Sequence, residues 1–315
     1  MKALALLSGG LDSTLAIKLI QQQGIEVIAL NFISPFCLCG GKSGCASIAM
    51  AEQLNVKVKR MEKGKEYFKI LRNPKYGYGR YMNPCIDCRI FILKKAKKYA
   101  KQIGAKFIFT GEVLDQRPMS QHFKTLMLIE KESGLKGKIL RPLSAKLLPE
   151  TEAEKKGFVD RNKLLAIRGK SRKEQIQLAH DYNLDFFCPS GGCLLTYKEF
   201  SDKLKDLFNH KKIISLNDIN LLKIGRHFRI KDSKIIVGRN EIENERLLKL
   251  KLKKDIVLLV KDAPGPITLL QGKEIKKAAE ITMRYSDIDN GIVKYNKKEI
   301  KVKAISEKEL DKYRI

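Results

Sequence analysis

The sequence predicts an α/β protein: a parallel sheet with helices on both faces, followed by a small C-terminal β-rich α+β domain. Three observations carry this. Apolar runs of strand type alternate with helical stretches from Lys2 to Leu143. A Ser-Gly-Gly turn joins the first run directly to the first helix. Beyond residues 210–216 the pattern changes to short alternating segments separated by turns. Strands separated by helices imply parallel pairing under helical cover. The division is therefore a first domain over 1–210, with a basic helical segment at 150–210, and a second over 215–315.

Taken in order, Lys2–Leu7 reads as a buried first strand and Asp12–Gln23 as a helix of period 3.6. Ile25–Asn31 is a second strand, Ala46–Leu54 a second helix and Val56–Met61 a third strand. A long basic helix is predicted from Pro84 to Ile103, then the strand Lys106–Thr110, a helix over Met119–Glu132 and a short strand Lys138–Leu140. Past Glu150 the chain is helical and basic, through RGKSRKEQIQLAHDYNL, and a turn-rich Cys188–Cys193 segment precedes a helix over Tyr197–Asn209. Ile224–Gly238 alternates like a hairpin turning at Lys231-Asp232-Ser233, and short strands are expected at Ile256–Val260, Ile267–Leu269, Gly291–Tyr295 and Glu299–Ala304. Ligands of open parallel sheets sit beyond the carboxyl ends of the strands, so the first, second and fourth strand exits are the places to look for chemistry.

With 315 residues the chain has material for two cores, and 43% hydrophobic residues exclude general disorder. The net charge of +28 favours a polyanionic partner, with a Lys-rich composition as the competing explanation. Basic residues are in excess on both sides of residue 200, so no single tail carries the charge. No apolar run reaches the length of a membrane span. The N-terminal MKALALLSGGLDS resembles a short signal sequence only superficially, and a cytoplasmic location is expected. Seven clustered cysteines in a reducing compartment point to metal, cluster or sulfur chemistry and away from a disulfide framework.

Ser8-Gly9-Gly10-Leu11-Asp12-Ser13-Thr14 lies between the first strand and first helix. Two glycines let the backbone turn tightly, and hydroxyls beside a helix N-terminus can hold a phosphate. Asp12 repels phosphate unless a divalent cation stands between them. As a plain βα turn, the same stretch would use Asp12 only as a helix cap. The full string resembles the PP-loop of the adenylate-forming ATP pyrophosphatases, whose fold is of the adenine nucleotide α-hydrolase type. The resemblance implies ATP and Mg2+ as cofactors. It implies ATP contacts from Ser8, Gly9, Gly10, Asp12, Ser13 and Thr14, with Asp12 orienting Mg2+. It also implies adenine near Ala5, Leu6 and Phe32, and a second nucleotide-contacting turn at Thr110 and Gly111, where Glu112 or Asp115 could assist the cation.

Cys85-Ile86-Asp87-Cys88 opens the basic helix, and Cys193 follows two glycines far along the chain. A CxxC at a helix start can serve as a redox pair, as two metal ligands, or as a nucleophile with its resolver. Within the resembled family two patterns fit. Cys85, Cys88 and Cys193 match the three ligands of a 4Fe–4S cluster whose fourth iron stays open for sulfide, the favoured reading. Cys88 and Cys193 also match the two positions of a persulfide carrier and its partner. Cys37, Cys39 and Cys45 form a possible second metal site that needs a fourth ligand, Cys188 or an exogenous one.

The stretches NPCIDCRIFIL, TGEVLDQRPMSQ, LRPLSAKLL and Cys188–Thr196 together look like the tRNA thiouridine synthetase group. By that resemblance Gln116, Arg117 and Ser120 are candidates to contact phosphate or the activated base, although Arg117 could equally cap a helix and Arg141 pair with a carboxylate. Leu221–Gly272 resembles the RNA-binding domain of the NFACT proteins, through IGRHFRI, KIIVGRNEIENE and DAPGPITLLQG. Arg226, His227, Arg229, Arg239 and Asn240 would supply RNA contacts there, helped by the basic helices at 94–101 and 168–173. The implied activity is ATP-dependent tRNA sulfur transfer: adenylation of a uridine carbonyl oxygen, then replacement by sulfur, with Cys85, Cys88, Cys193 and Asp12 catalytic. The expected partners are tRNA and a sulfur donor, sulfide or a persulfide carrier, with no membrane and a homodimer as the candidate assembly. A ligase transferring nitrogen and a non-catalytic RNA- or ribosome-binding factor are the alternatives.

Overall fold

The computed structural model describes residues 1–38, 46–185 and 192–315. They form two compact units, Met1–Thr196 and Tyr197–Ile315. The first unit runs β1 (Lys2–Leu6), α1 (Leu11–Gln21), β2 (Glu26–Ile33), α2 (Ala46–Gln53), β3 (Lys57–Glu62), α3 (Gly64–Arg72) and α4 (Cys85–Gln102). It continues with β4 (Ile108–Thr110), α5 (Phe123–Ser133), β5 (Ile139–Leu140), α6 (Glu152–Lys155) and α7 (Lys173–Asp181). Its five strands pair in the order β3-β2-β1-β4-β5, and every pairing is parallel.

Apolar alternation along the central strand explains the two helical layers. Ala3, Ala5 and Leu7 point into one cluster with Leu11, Leu15 and Ala16 of α1 and Ala179 of α7. Leu4 and Leu6 are buried on the other side, and α4, which packs on β1 and β4, buries Ile90, Phe91, Leu93 and Ala96. The chain winds outward from β1 through β2 and β3, then returns to β1's other flank with β4. That reversal opens a crevice at the carboxyl ends of β1 and β4, where such sheets bind ligands.

Two boundaries differ from expectation for local reasons. α5 begins at Phe123, later than Met119, because residues 117–121 close a turn in which Gln121 N–H donates to Arg117 O. α3 was not anticipated between the third strand and the long helix; it buries only Tyr67 and Leu71, a narrow apolar face.

The second unit contains α8 (Lys198–His210), α9 (Leu216–Leu222), β6 (Arg226–Ile230), β7 (Ser233–Val237), α10 (Glu241–Leu250), β8 (Ile256–Val260), β9 (Thr268–Gln271), α11 (Ile275–Arg284), β10 (Asn290–Tyr295), β11 (Lys298–Lys303) and α12 (Glu307–Leu310). Its six-stranded antiparallel sheet has the order β11-β10-β8-β9-β7-β6. The expected hairpin pairs Ile230 with Ser233, and Lys231 takes the left-handed backbone the tight turn needs, at φ +50°. α8 belongs to this unit, ahead of the compositional shift, because its Lys203 and Asp206 bond Gly225 O and Arg229. Among the described residues no helix is long and apolar enough to cross a membrane.

Candidate active site

Backbone proximity builds the crevice. Gly9 has φ +82°, and a Cβ there would lie 2.5 Å from Ser47 N. A Cβ on Gly111 would lie 2.5 Å from Asp12 C and O and from Ser13 Cα. Glycine thus lets the β1 loop close on the start of α2 at residue 9, and the β4 exit close on the start of α1 at residue 111. The loop is knit by its own hydroxyls: Ser13 Oγ donates to Gly10 O at 2.8 Å, Thr14 Oγ1 to Gly10 O at 3.2 Å, and Ser8 and Ser13 Oγ lie 3.1 Å apart. The resulting polar pocket is lined by Leu6, Ser8, Gly10, Asp12, Ser13, Arg89, Thr110, Gly111, Glu112, Arg117 and Gln121. Most of the expected nucleotide set is here. Ala5, Gly9, Thr14 and Phe32 do not line it: Ala5 packs into the core beneath α1, Thr14 is buried within α1, Gly9 lies against Ser47, and Phe32 lies on β2 beside Met61.

Asp12 is held from one side. Gln116 Nε2 donates to Oδ2 at 2.8 Å, Gln175 Nε2 supports Gln116 Oε1 at 3.1 Å, and Arg172 lies 3.8 Å from Oδ2. Oδ1 is shielded from solvent and has no hydrogen-bond partner among the described residues. Burial pushes the Asp12 carboxyl up, partly offset by Gln116, Arg172 and Arg117. A buried unpartnered carboxylate oxygen in a phosphate-sized polar pocket fits a divalent cation. Glu112 is differently placed. Arg141, with a side chain only 1% exposed, bridges Glu112 Oε2 at 3.1 Å and Glu130, while Arg89 lies 3.4 Å from Oε1. Burial raises the Glu112 carboxyl, but Arg89 and Arg141 outweigh it and hold it low. Asp115 is turned away onto His122 and Arg168. Ser120 is buried, and Arg117 has no side-chain hydrogen bond or ion pair among the described residues.

The sulfur residues meet next to this pocket. Cys85 and Cys88 start α4, and Arg89, the following residue, lines the polar pocket. Between the cysteines, Asp87 accepts from Lys75 N at 2.9 Å and Tyr76 N at 3.0 Å, so its role is to pin the preceding loop. Lys63, just past β3, donates to Cys88 Sγ at 3.0 Å and stacks 4.6 Å over the Tyr67 ring. Burial raises the Cys88 thiol, but Lys63, the Tyr67 hydroxyl and Arg89 outweigh burial and hold it below its ordinary value. Burial works against the Lys63 ammonium, yet Cys88, Cys37 and Cys193 together keep it firmly charged. Burial pushes Cys85 up, aided by the neighbouring Cys88, and pushes Cys193 to about 11.

Of the possible second metal site, only Cys37 lies among the described residues. It faces Cys193 as an isolated antiparallel bridge. Cys39, Cys45 and Cys188 lie outside the described residues. No group of three or more His, Cys, Asp or Glu side chains among the described residues is arranged to hold a metal ion. Lys63 is bonded to Cys88 in their midst, so Cys88 is the thiolate of the group while Cys85 and Cys193 are held as thiols. Sequence reasoning missed Lys63, Tyr67 and Gln175; only Lys63 carried a signal, at the carboxyl end of a parallel strand.

In the second unit the five expected RNA contacts have diverged. His227 is 2% exposed with Nε2 against Ile224 O at 2.7 Å, and burial together with Lys234 and Lys203 keeps the ring neutral. Arg229 grips Asp206 through Nε at 2.9 Å and Nη2 at 2.6 Å. Asn240 caps α10 by accepting from Glu243 N at 3.0 Å, and Arg239 pairs with Glu243 at 2.6 Å. Arg226 alone has no acidic partner among the described residues and lies 4.5 Å over the Tyr285 ring.

Family models match both parts of the chain: the thiamine biosynthesis protein ThiI over residues 1–146 and the NFACT protein RNA binding domain over residues 225–314. The two matched regions do not overlap, and each falls within one of the two compact units. The chain is similar to a probable tRNA sulfurtransferase of Thermococcus kodakarensis, 31% identical over 157 residues, 45% of this chain and 36% of that protein. It is also similar to a tRNA-specific 2-thiouridylase MnmA of Pelobacter propionicus, 27% identical over 117 residues, 35% of this chain and 33% of that protein. The chain thus matches about a third of the length of these curated relatives. Among solved structures, a 4-thiouridine synthetase–RNA complex with bound ATP aligns at 20% identity and TM-score 0.39, covering 70% of this chain and 52% of that one.

Proposed function

We propose that this protein is an ATP-dependent tRNA sulfurtransferase. The observation that carries the reading is the start of α4: it places Cys85 and Cys88 beside Lys63 and, one residue on, Arg89 in the pocket of the SGGLDST loop. One short segment thereby joins a phosphate site to a sulfur site.

The loop and Gly111 would hold the triphosphate. Mg2+, when bound at Asp12 Oδ1, would neutralise the phosphates. A uridine carbonyl oxygen attacks the α-phosphorus, pyrophosphate leaves, and AMP becomes the leaving group on the base. Arg117, which has no ion pair among the described residues, and Arg89 are placed to meet phosphate charge in that exchange. A persulfide sulfur carried on Cys88 or Cys193 then displaces AMP. Lys63 keeps Cys88 in the thiolate form that accepts sulfur from a persulfide carrier. Nitrogen transfer would have no use for four described thiols around one ammonium.

The test is pyrophosphate exchange with tRNA, followed by nucleoside mass spectrometry of the product. Wild-type protein should exchange and yield thiouridine, while Cys193→Ala should bind ATP and yield none. Normal thiouridine from Cys193→Ala would remove that residue as sulfur carrier, and absence of pyrophosphate release with any tRNA would overturn the enzyme reading.

A further inference from the structure

The loop after β2 and the segment before α8 approach each other as two short antiparallel strands. Leu194 N–H donates to Phe36 O at 2.8 Å, and Leu38 N–H donates to Gly192 O at 3.3 Å. These bonds flank the Cys37–Cys193 pair and leave the two cysteines without a backbone bond to each other. That is the non-hydrogen-bonded site of an antiparallel ladder, where Cα atoms stand roughly 4.5 Å apart and side chains lie closest. The separation falls at the near end of the span that a disulfide bridges. Gly192 makes the approach possible, because a Cβ there would lie 2.1 Å from Leu38 Cδ1. Both cysteines are free and partly exposed.

We propose that Cys37 is the resolving thiol of Cys193, the pair alternating between dithiol and disulfide. The proposal rests on the sulfur-transfer reading for its chemistry, though not for the pairing itself. A persulfide donor loads Cys193 as Sγ–SH. Its terminal sulfur displaces AMP from the activated base carbon, with loss of one proton, and leaves Cys193 Sγ–S–C. The Cys37 thiolate attacks Cys193 Sγ. The Sγ–S bond breaks, its electron pair leaves with the base-bound sulfur as thiouridine, and a Cys37–Cys193 disulfide forms. An external dithiol supplies the two electrons and two protons that reset the pair.

Alignment along the ladder explains why Cys37 suits this step and Cys88 less so. Cys88 is bonded to Lys63 on α4, whereas Cys37 is held opposite Cys193 by two backbone hydrogen bonds. Cys88 is then free to take sulfur from the external carrier and pass its outer sulfur to Cys193, and release is assigned to Cys37.

The full chain is oxidised with limiting diamide, digested without reductant and mapped by mass spectrometry. In parallel, Cys37→Ser and Cys37→Ala are run through one turnover of tRNA thiolation, with and without added dithiothreitol. The expected results are a Cys37–Cys193 linked peptide and, in both variants, a protein–RNA adduct that dithiothreitol releases as thiouridine. Adduct trapping is a readout that mere misfolding would not produce. A link from Cys193 to any other cysteine, or thiouridine release by both variants without added thiol, overturns the proposal. A wild-type protein that forms the Cys37–Cys193 link but makes no thiouridine overturns the sulfur-transfer reading and leaves the pair standing.

Discussion

Replacing Gly111 with alanine tests whether the crevice between β1 and β4 is the nucleotide site. The new Cβ would stand 2.5 Å from three backbone atoms of Asp12 and Ser13, with no flexible side chain among them to yield. The backbone angle is not at issue, since Gly111 does not occupy the left-handed region. Relief requires the β4 exit to move away from the first turn of α1, and both are walls of the same pocket. Overpacking of this kind costs about 1–3 kcal/mol. Where the strain is relieved by opening the pocket, ATP must bind against it, and affinity falls roughly five- to 150-fold. Where the fold absorbs it, the same energy appears as lost stability. Isothermal titration with ATP and Mg2+, paired with thermal unfolding of the apo-protein, reads both terms. Wild-type ATP affinity together with wild-type stability would refute the packing argument. Lost stability with wild-type affinity would keep the packing and remove the crevice as the ATP site.

Asp12→Asn should leave metal-free ATP binding largely intact and abolish its strengthening by Mg2+, because the unpartnered Oδ1 is the group that would meet the cation; titrations at several Mg2+ concentrations check this. Lys234, 5% exposed on β7, has an ammonium lowered to about 8 from 10.5 by burial and by Arg229 and Lys203, against Asp206 and Asp218. Below pH 8 both folded and unfolded chains keep the proton; between 8 and 10.5 only the unfolded chain does. Stability should therefore rise with pH across that window, by about 3 kcal/mol from this group alone, and Lys234→Met should flatten the rise in urea melts. In filter binding, Arg226→Ala should weaken tRNA binding and reduce its salt dependence. Arg229→Ala should instead destabilise the protein by about 1–3 kcal/mol, leaving Asp206 without its bidentate partner. Equal losses of tRNA affinity from both arginine variants, with stability unchanged, would contradict that distinction.

What was legible in the sequence follows the distance over which each feature is encoded. The SGGLDST loop and the CxxC helix start are local, and both stand at the positions the parallel-sheet reading assigns them. Lys63 and Tyr67 are not local: their meaning depends on α3 folding back onto α4, which brings Lys63 to a cysteine 25 residues away. Cys37 was grouped with Cys39 and Cys45 by spacing alone. Cys39 and Cys45 lie outside the described residues, but Cys37 also faces Cys193 across a ladder of two backbone bonds that no side-chain pattern records.

Charge shows the same limit from the other direction. An excess of +28 says that a polyanion is welcome but not where it docks. Arg229 and Arg239 look as suitable for phosphate as Arg226 does until Asp206 and Glu243 are placed against them. Part of that was readable: Asn240 followed by Glu243 is a capping pattern, and Arg239 stands four residues before the same glutamate. Asp206 could be found only once α8 was packed on β6. Of the arginines the sequence singled out for anion contacts, Arg117 at the loop and Arg226 over Tyr285 are left without an acidic partner among the described residues. Anion binding by this protein should therefore track a few unpaired arginines more closely than the number of its lysines.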